Sequence, residues 1–151
     1  MKIEMFDSNS LDFVEFNFTG NSESYVRCDT ESRYLGTTVF HVFIDCFEKA
    51  NKLYDYFVPT KYNARTFVPL LNELKKKREV LMAINSYTTF EQFLSGIFMG
   101  DRFVAKLKDQ DPQYREKWKS YTESLINVNT QLIELVHMSI DEDRVLWVIG
   151  Y

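Results

Sequence analysis

Hydrophobic and polar residues alternate near the start of the chain, with the period that is typical of β-strands. Val14, Phe16 and Phe18 are each separated by one polar residue, so one face of residues 12–19 is apolar. This pattern predicts a strand, and shorter patterns on either side predict two more that pair with it in an antiparallel meander. The flanking strands are predicted at residues 2–6 and 24–28, and the turns that join them to the first strand are predicted at residues 7–10 and 19–22.

The spacing changes to that of a helix after Thr37. Apolar residues recur three or four positions apart as far as Phe57, and Pro59 follows shortly afterwards. We therefore predict one amphipathic helix over residues 37–57 that covers the apolar face of the sheet. Its apolar row is Val39, Val42, Phe43, Cys46, Phe47, Ala50, Leu53, Tyr54 and Phe57.

Two further helices are predicted in the middle of the chain. The first runs from Phe67 to Ile84 and has Pro69 in its first turn, where a proline is tolerated. The second opens with Thr88 as the N-cap and Glu91 three residues later, the spacing of a capping box. We expect Gly100 to end or kink it.

The last helix is predicted to be the longest. Asp111 followed by Pro112 is a typical helix start, and apolar residues then continue to Ile140. A helix over residues 112–140 would be about 43 Å long at ~1.5 Å per residue, so we expect it to cross the whole domain. Residues 144–149 are predicted to form a strand that rejoins the N-terminal sheet.

These elements together predict an α+β fold in a single globular domain spanning residues 1–151. A small N-terminal antiparallel sheet, joined by a C-terminal strand, packs on a bundle of about four helices with one long central helix. The chain shows no internal repeat and no change of composition that would mark a linker.

Composition adds two observations to this picture. The chain has 13 Phe, 9 Tyr and 2 Trp against 5 Gly and 3 Pro, which indicates a large buried area and few tight turns. The net charge of −4 divides into −5 for residues 1–58, +5 for residues 59–119 and −4 for residues 120–151. A basic middle third therefore lies between two acidic ends.

The basic third supplies the candidate partner-binding residues. They fall into a basic run on the second helix and an aromatic, basic cluster at the start of the long helix. Because nucleic-acid-binding domains usually have a pI above ~9 and this chain has a pI near 5.2, we expect an acidic protein partner, not a nucleic acid. The candidates are Lys75, Lys76, Lys77 and Arg78, which we call the basic run, and Tyr114, Arg115, Trp118 and Lys119, which we call the helix-start cluster.

The two histidines are the other candidates for chemistry. His41 is turned away from its helix's apolar row, so we expect it to face solvent and to contact Asp45 four residues on. His137 is in phase with an apolar row of the long helix, and the default expectation is a packed, hydrogen-bonded side chain. An alternative hypothesis is that His137 serves an enzyme or a small-ligand site together with Asp141, Glu142 and Asp143.

Familiar catalytic and cofactor motifs are absent from the sequence. It contains no glycine-rich phosphate loop, no Gly-x-Ser-x-Gly, no His-Glu-x-x-His and no Cys-x-x-Cys. We therefore expect no cofactor and no metal, and lean against an enzyme. The two cysteines, the charged N-terminus and the lack of a long apolar run favour a cytoplasmic protein without a membrane segment.

The resulting hypothesis is a small soluble protein that acts by contact with another protein, as an inhibitor, an immunity factor or an adaptor does. Segregated charge favours such a role, because it steers association and discriminates between partners. Self-association into a homo-oligomer is a further possibility that the sequence leaves open.

Overall fold

The computed structural model describes residues 1–5 and 12–151. Within them the chain forms ten strands and helices around one hydrophobic core. In chain order they are β1 (Phe13–Asn17), β2 (Arg33–Gly36), α1 (Thr37–Phe40), α2 (Ile44–Ala50), β3 (Thr60–Tyr62), α3 (Ala64–Met82), α4 (Tyr87–Gly96), α5 (Gly100–Gln110), α6 (Trp118–Asp141) and β4 (Leu146–Gly150).

The four strands form an antiparallel sheet in the order β2-β1-β4-β3. Val14 is opposite Leu35 of β2, and Phe16 is opposite Val148 of β4. The first and last strands are therefore neighbours at the centre of the sheet, which confirms that the C-terminal strand rejoins the N-terminal one.

The predicted meander at the N-terminus is wrong. Residues 2–5 and 24–28 are not strands, while residue 6 and the predicted turn at 7–10 lie outside the described residues. The physical reason is that side chains of β1 form hydrogen bonds with backbone groups of residues 24–28, in place of a neighbouring strand. The Asn17 amide donates to the Val26 carbonyl over 2.7 Å, and the Glu15 carboxylate accepts from Cys28 N–H over 2.9 Å. The segment consequently lies across a face of the sheet instead of beside it.

Both faces of β1 are therefore covered. The Phe16 ring packs against Phe40 and Phe47 of the helical layer, with ring centroids 6.1 and 6.0 Å apart. Glu15 points to the opposite face, because successive side chains of a strand alternate, and it is buried beneath residues 18–32. All five residues of β1 are buried.

The single helix predicted over residues 37–57 is also wrong. It is divided into α1 and α2 by turns at residues 41–43, and α2 ends at Ala50. Asn51 has extended backbone (φ −143°), and its amide donates to the Lys61 carbonyl over 3.2 Å. This bond ties the end of α2 to β3, so the chain turns back towards the sheet.

The two middle helices begin at different residues from those predicted. Asn63 caps α3, its side chain accepting from Arg65 N–H over 3.0 Å, so Pro69 is the sixth residue of the helix and not in its first turn. Ser86, not Thr88, caps α4, in a capping box with Thr89.

The long helix is confirmed, but it is shorter than predicted. Residues 112–117 form turns and α6 starts at Trp118, which gives 24 residues and a length of about 36 Å. It packs along α3, where the Asn129 amide donates to the Leu74 carbonyl over 3.0 Å. The α+β class is thus confirmed, with α3 to α6 as the four longer helices of the described chain. Of the helices in these residues, none is long and apolar enough to cross a membrane.

Candidate functional site

The loop between α2 and β3, residues 51–59, carries the most exposed apolar side chains of the described chain. Leu53 and Phe57 are 85% and 88% exposed, and Val58 is also exposed. We call these three residues the apolar ridge. Exposing them is unfavourable by the usual hydrophobic measure, so their position needs a structural explanation.

Hydrogen bonds attach this loop to the C-terminus and to the start of α1. The Tyr56 hydroxyl donates to the Tyr151 carbonyl over 3.2 Å and lies 3.2 Å from the Thr37 hydroxyl. Tyr56 also packs so closely on Gly150 that a Cβ there would lie 2.5 Å from the Tyr56 carbonyl oxygen. The Asp55 carboxylate accepts from Phe57 N–H over 2.9 Å. The apolar ridge is therefore presented by an anchored loop.

A second exposed apolar segment lies at the junction of α4 and α5. Phe98 is 57% exposed, and Met99 is exposed beside it with φ of 54°. The Phe98 ring meets the His41 ring edge to face, with centroids 5.1 Å apart. This contact brings the junction next to the α1–α2 turn.

A cleft of about 600 Å³ lies between these two segments. We call it the His41 cleft. Its walls are aromatic, and its rim carries charges of both signs. The lining residues are Asp12, Thr37, His41, Ile44, Glu48, Tyr54, Asp55, Tyr56, Phe57, Phe98, Met99, Arg102 and Tyr151.

A second hollow of about 370 Å³ lies at the same loop. It is lined by Leu53 and Val58 of the apolar ridge and by Trp147 of β4. Phe57 lines the His41 cleft, so side chains of one ridge line two separate concave surfaces.

His41 is buried at the cleft, with 7% of its surface exposed, and its Nδ1 has no hydrogen-bond partner among the described residues. The prediction that it faces solvent is wrong. The turns at 41–43 disturb the helical phase, and every residue from 37 to 44 is buried. Its predicted partner Asp45 instead binds Lys77, 2.9 Å away.

The pKa of His41 is lowered from its ordinary value. Burial is the main cause, and the positive charges of Arg102 and Lys106 add to it, whereas Asp12 opposes it. Since an ordinary histidine titrates near pH ~6.5, His41 is neutral at neutral pH. A neutral imidazole has one ring nitrogen that accepts a hydrogen bond.

The charges of the cleft divide into two regions. Glu48 and Asp55 form no ion pair with any residue that the structure describes. The positive charges of Arg102 and Lys106 lower the pKa of His41. The Lys106 ammonium lies 3.7 Å from the Asp12 carboxylate. The cleft thus has an uncompensated acidic region beside Tyr54 and a basic region beside His41.

No known relative helps to interpret this site. No family model matches the chain, and no curated protein or solved structure is detectably similar to it.

The basic run is divided by the structure. Lys75 and Lys76 are exposed, and Lys76 lies 3.1 Å from Glu73. The Lys77 side chain is only 12% exposed and binds Asp45, and Arg78 is half-buried. Lys77 also lines a small hollow shared with His41 and Phe98. One member of the basic run therefore reaches the neighbourhood of the His41 cleft, and its role in partner binding stays a prediction.

The helix-start cluster lies elsewhere, at the α5–α6 connection. Tyr114 is buried, and the Arg115 guanidinium lies 5.9 Å from its ring and 5.7 Å from the ring of Tyr87. Trp118 is half-buried and packs on the core, while Lys119 is exposed. The Tyr114 ring meets the Tyr87 ring of α4, with centroids 6.3 Å apart, and a partner-binding role for the cluster stays a prediction.

The alternative set, His137 with Asp141, Glu142 and Asp143, is spread over an exposed helix end. His137 is exposed, not packed, and Glu142 lies 2.7 Å from Arg144. Within residues 1–5 and 12–151, no group of three His, Cys, Asp or Glu side chains could hold a metal ion. The His41 cleft is lined by other residues, so the alternative gains no supporting observation.

The His41 cleft does not follow from hydrophobic periodicity, because Leu53 and Phe57 fit the apolar row of a predicted helix. Asn51 and Asp55 were an available signal, since both residue types favour turns over helix interiors. For Phe98 the signal was its position between Gly96 and Gly100, where a helix is easily interrupted.

Proposed function

We propose that this protein acts by binding another protein, in the manner of an inhibitor, an immunity factor or an adaptor, and that it docks through the apolar ridge and the His41 cleft. The observation that supports this most is the exposure of Leu53 and Phe57 on a loop beside two concave surfaces. Contiguous exposed apolar side chains next to a polar rim are typical of protein interaction sites.

The anchoring of the ridge supports the same proposal. Tyr56 holds the loop through its hydroxyl and through its packing on Gly150, so little conformational entropy is lost when a partner binds. Aromatic side chains beside a pocket are also the usual hot spots of interfaces. Phe57 and Phe98 are therefore the residues expected to contribute most to affinity.

The chain has two cysteines, too few for a disulfide framework, which supports a reducing compartment such as the cytoplasm. Cys28 is exposed and Cys46 is buried. Burial raises the pKa of Cys46 to about 12, so this thiol stays protonated and is a poor nucleophile. We propose a structural role for Cys46 and a cytoplasmic location for the protein.

Photocrosslinking inside the native cell tests the docking surface. A benzoylphenylalanine replaces Phe57 in one variant and Val80 in the control variant, since Val80 is an exposed apolar residue on α3. We expect a specific protein adduct from position 57 and none from position 80. The same adducts from both positions, or none from either, would contradict the proposal.

Binding measurements on the purified partner then test the contributions of single residues. We expect Phe57→Ser and Phe98→Ser each to weaken binding at least about tenfold, while Val80→Ser leaves it unchanged. All three side chains are exposed, so circular dichroism should show wild-type folding. Unchanged affinity in both phenylalanine variants would exclude this surface as the docking site.

Charge reversal in the basic run tests the predicted acidic partner separately. Lys75→Glu with Lys76→Glu is the suitable variant, because Lys77 is already used by Asp45. If the partner presents acids to α3, its association rate should fall and the effect should shrink as salt rises. Rates equal to those of the wild type would remove the basic run from the interface.

A further inference from the structure

The acidic region of the His41 cleft has the chemistry to bind a cation. Glu48, Asp55 and Tyr54 line the cleft together. Burial raises the pKa of the Tyr54 hydroxyl, and Tyr56, Glu48 and Asp55 add to this effect. One oxygen of Asp55 accepts from Phe57 N–H, which fixes the carboxylate and leaves its other oxygen available. Neither acid has a cationic partner among the described residues.

Aromatic rings surround this acidic region. Tyr54, Tyr56 and Phe57 line the same cleft, and the last two meet edge to face with centroids 5.3 Å apart. Ring faces attract ammonium and guanidinium groups, most strongly where water is partly excluded. Carboxylates beside aromatic rings therefore favour the side chain of arginine or lysine over a neutral or acidic one.

His41 supplies an independent observation in the same cleft. Its Nδ1 is buried and unpartnered within the described chain, and leaving such an atom unsatisfied is unfavourable. In the tautomer that carries its proton on Nε2, Nδ1 accepts a hydrogen bond from an N–H donor. A ligand rich in N–H groups would meet this requirement.

The charges of the two regions indicate how such a ligand would lie. His41 and Glu48 both line the cleft, and they are seven positions apart in the chain. Arg102 acts on His41, so a cation is repelled from that end and directed to Glu48 and Asp55.

We propose that the His41 cleft binds an extended segment of the partner protein, with an arginine or lysine side chain between Glu48 and Asp55 and a backbone N–H directed to His41. This inference rests on the proposed function and names the chemistry of the partner. Its charge requirement is opposite to that of the basic run, so the partner would present a basic segment to the cleft whatever faces α3.

A pair of matched peptides tests the charge requirement. The full-length, ¹⁵N-labelled protein is titrated with acetyl-Phe-Ala-Arg-amide and with the same peptide carrying citrulline, the neutral isostere of arginine. We expect chemical-shift changes at residues 41, 48 and 55, and affinity at least about tenfold weaker for the citrulline peptide. Equal affinities, or no shift changes at millimolar peptide, would overturn the inference.

Variants of the two acids test the location. Glu48→Gln and Asp55→Asn should each weaken binding of the arginine peptide about three- to tenfold. Asp55→Asn retains an oxygen that can accept from Phe57 N–H. Glu134→Gln is the control, since Glu134 is exposed on α6 and does not line the cleft. Equal weakening in all three variants, or in none, would contradict the assigned site.

The outcomes separate this inference from the proposed function. If both peptides bind equally while position 57 still crosslinks to a specific protein, the cationic ligand is wrong and the docking surface stands. If the arginine peptide binds selectively and position 57 crosslinks to no protein, protein docking is wrong. Sedimentation with phosphatidylserine vesicles that is lost in Phe57→Ser would assign the ridge to a lipid surface and overturn both.

Discussion

At the scale of single residues, His41 is a buried side chain whose surroundings change its protonation. Burial, Arg102 and Lys106 lower its pKa, while Asp12 opposes them. In the unfolded chain a histidine titrates near pH ~6.5. Below that pH the unfolded state binds more protons than the folded one until His41 itself is protonated. The free energy of unfolding should therefore fall as the pH drops below about 6.5. Above that pH, His41 should cause no further change in the free energy of unfolding.

Replacement of each histidine tests this prediction. The chain contains two, so His41→Phe and His137→Phe form a matched pair, the second at an exposed position. Urea unfolding at about pH 7.5 and 5.5 should show a smaller loss of stability on acidification in His41→Phe than in the wild type. His137→Phe should behave as the wild type does. If His41→Phe loses as much stability on acidification as the wild type does, His41 does not titrate in this way.

The same residue illustrates a limit of periodicity. Periodicity predicts that position 41 faces solvent, because it is out of phase with Val39 and Phe43, yet residues 37–44 are all buried. Apolar spacing reports which side of a helix is buried only when the other side faces water. Here the sheet, α5 and the Phe98 junction surround the segment, and those neighbours are distant in sequence.

At the scale of elements, the junction between α4 and α5 depends on one glycine. A Cβ at Gly100 would clash with the Leu94 carbonyl oxygen, whereas a Cβ at Gly96 would meet no atom within 4 Å. The two glycines lie at the beginning of α5 and the end of α4. Only Gly100 therefore allows the close approach that directs Phe98 and Met99 to the His41 cleft.

Alanine at each glycine gives opposite expectations. Gly100→Ala should lower the free energy of unfolding by about 2 kcal/mol or more, because backbone must move. Gly96→Ala should raise it by about 0.5–1 kcal/mol, since alanine favours the helix. Chemical denaturation measures both. A Gly100→Ala variant as stable as the wild type would mean that the helices can separate without cost.

The helix starts show why some element boundaries were misplaced. Asn63 and Ser86 cap α3 and α4 through their own side chains, and both residue types are standard caps. They were visible in the sequence, but Thr88 with Glu91 offered a competing capping box. The existence of α6, though not its first residue, follows from the sequence, because its apolar row extends over many turns.

At the scale of the whole molecule, the buried Glu15 carboxylate connects three distant parts of the chain. It accepts from Cys28 N–H, from the Ser32 hydroxyl over 2.7 Å and from the Tyr151 hydroxyl over 2.7 Å. The Arg27 side chain donates to the same Tyr151 hydroxyl over 3.1 Å. Residues 18–32 and the C-terminus are thus attached to the central strand by one polar network.

Removal of this carboxylate should destabilise the whole fold. Glu15→Ala leaves the buried Ser32 hydroxyl and the part-buried Cys28 N–H and Tyr151 hydroxyl without this acceptor. Each loss costs about 1–3 kcal/mol, so we expect a total loss of at least about 3 kcal/mol in urea unfolding. Hydrogen exchange should accelerate first in residues 18–32. Glu31→Ala is the control, an exposed acid of the same segment expected to change stability by less than about 0.5 kcal/mol. A loss below about 1 kcal/mol in Glu15→Ala would contradict the network's role.

Local pattern alone determined the α+β class, the strand at β1, the strand at β4 and the long helix α6, because each depends on a repeat of two or about 3.6 residues within one segment. The tertiary structure decided the rest. It placed β4 beside β1 in the centre of the sheet, buried His41, and ended α2 at Ala50 so that Leu53 and Phe57 stand exposed. These outcomes depend on hydrogen bonds and packing between residues far apart in sequence, such as Tyr56 with Tyr151, and no short-range spacing records them.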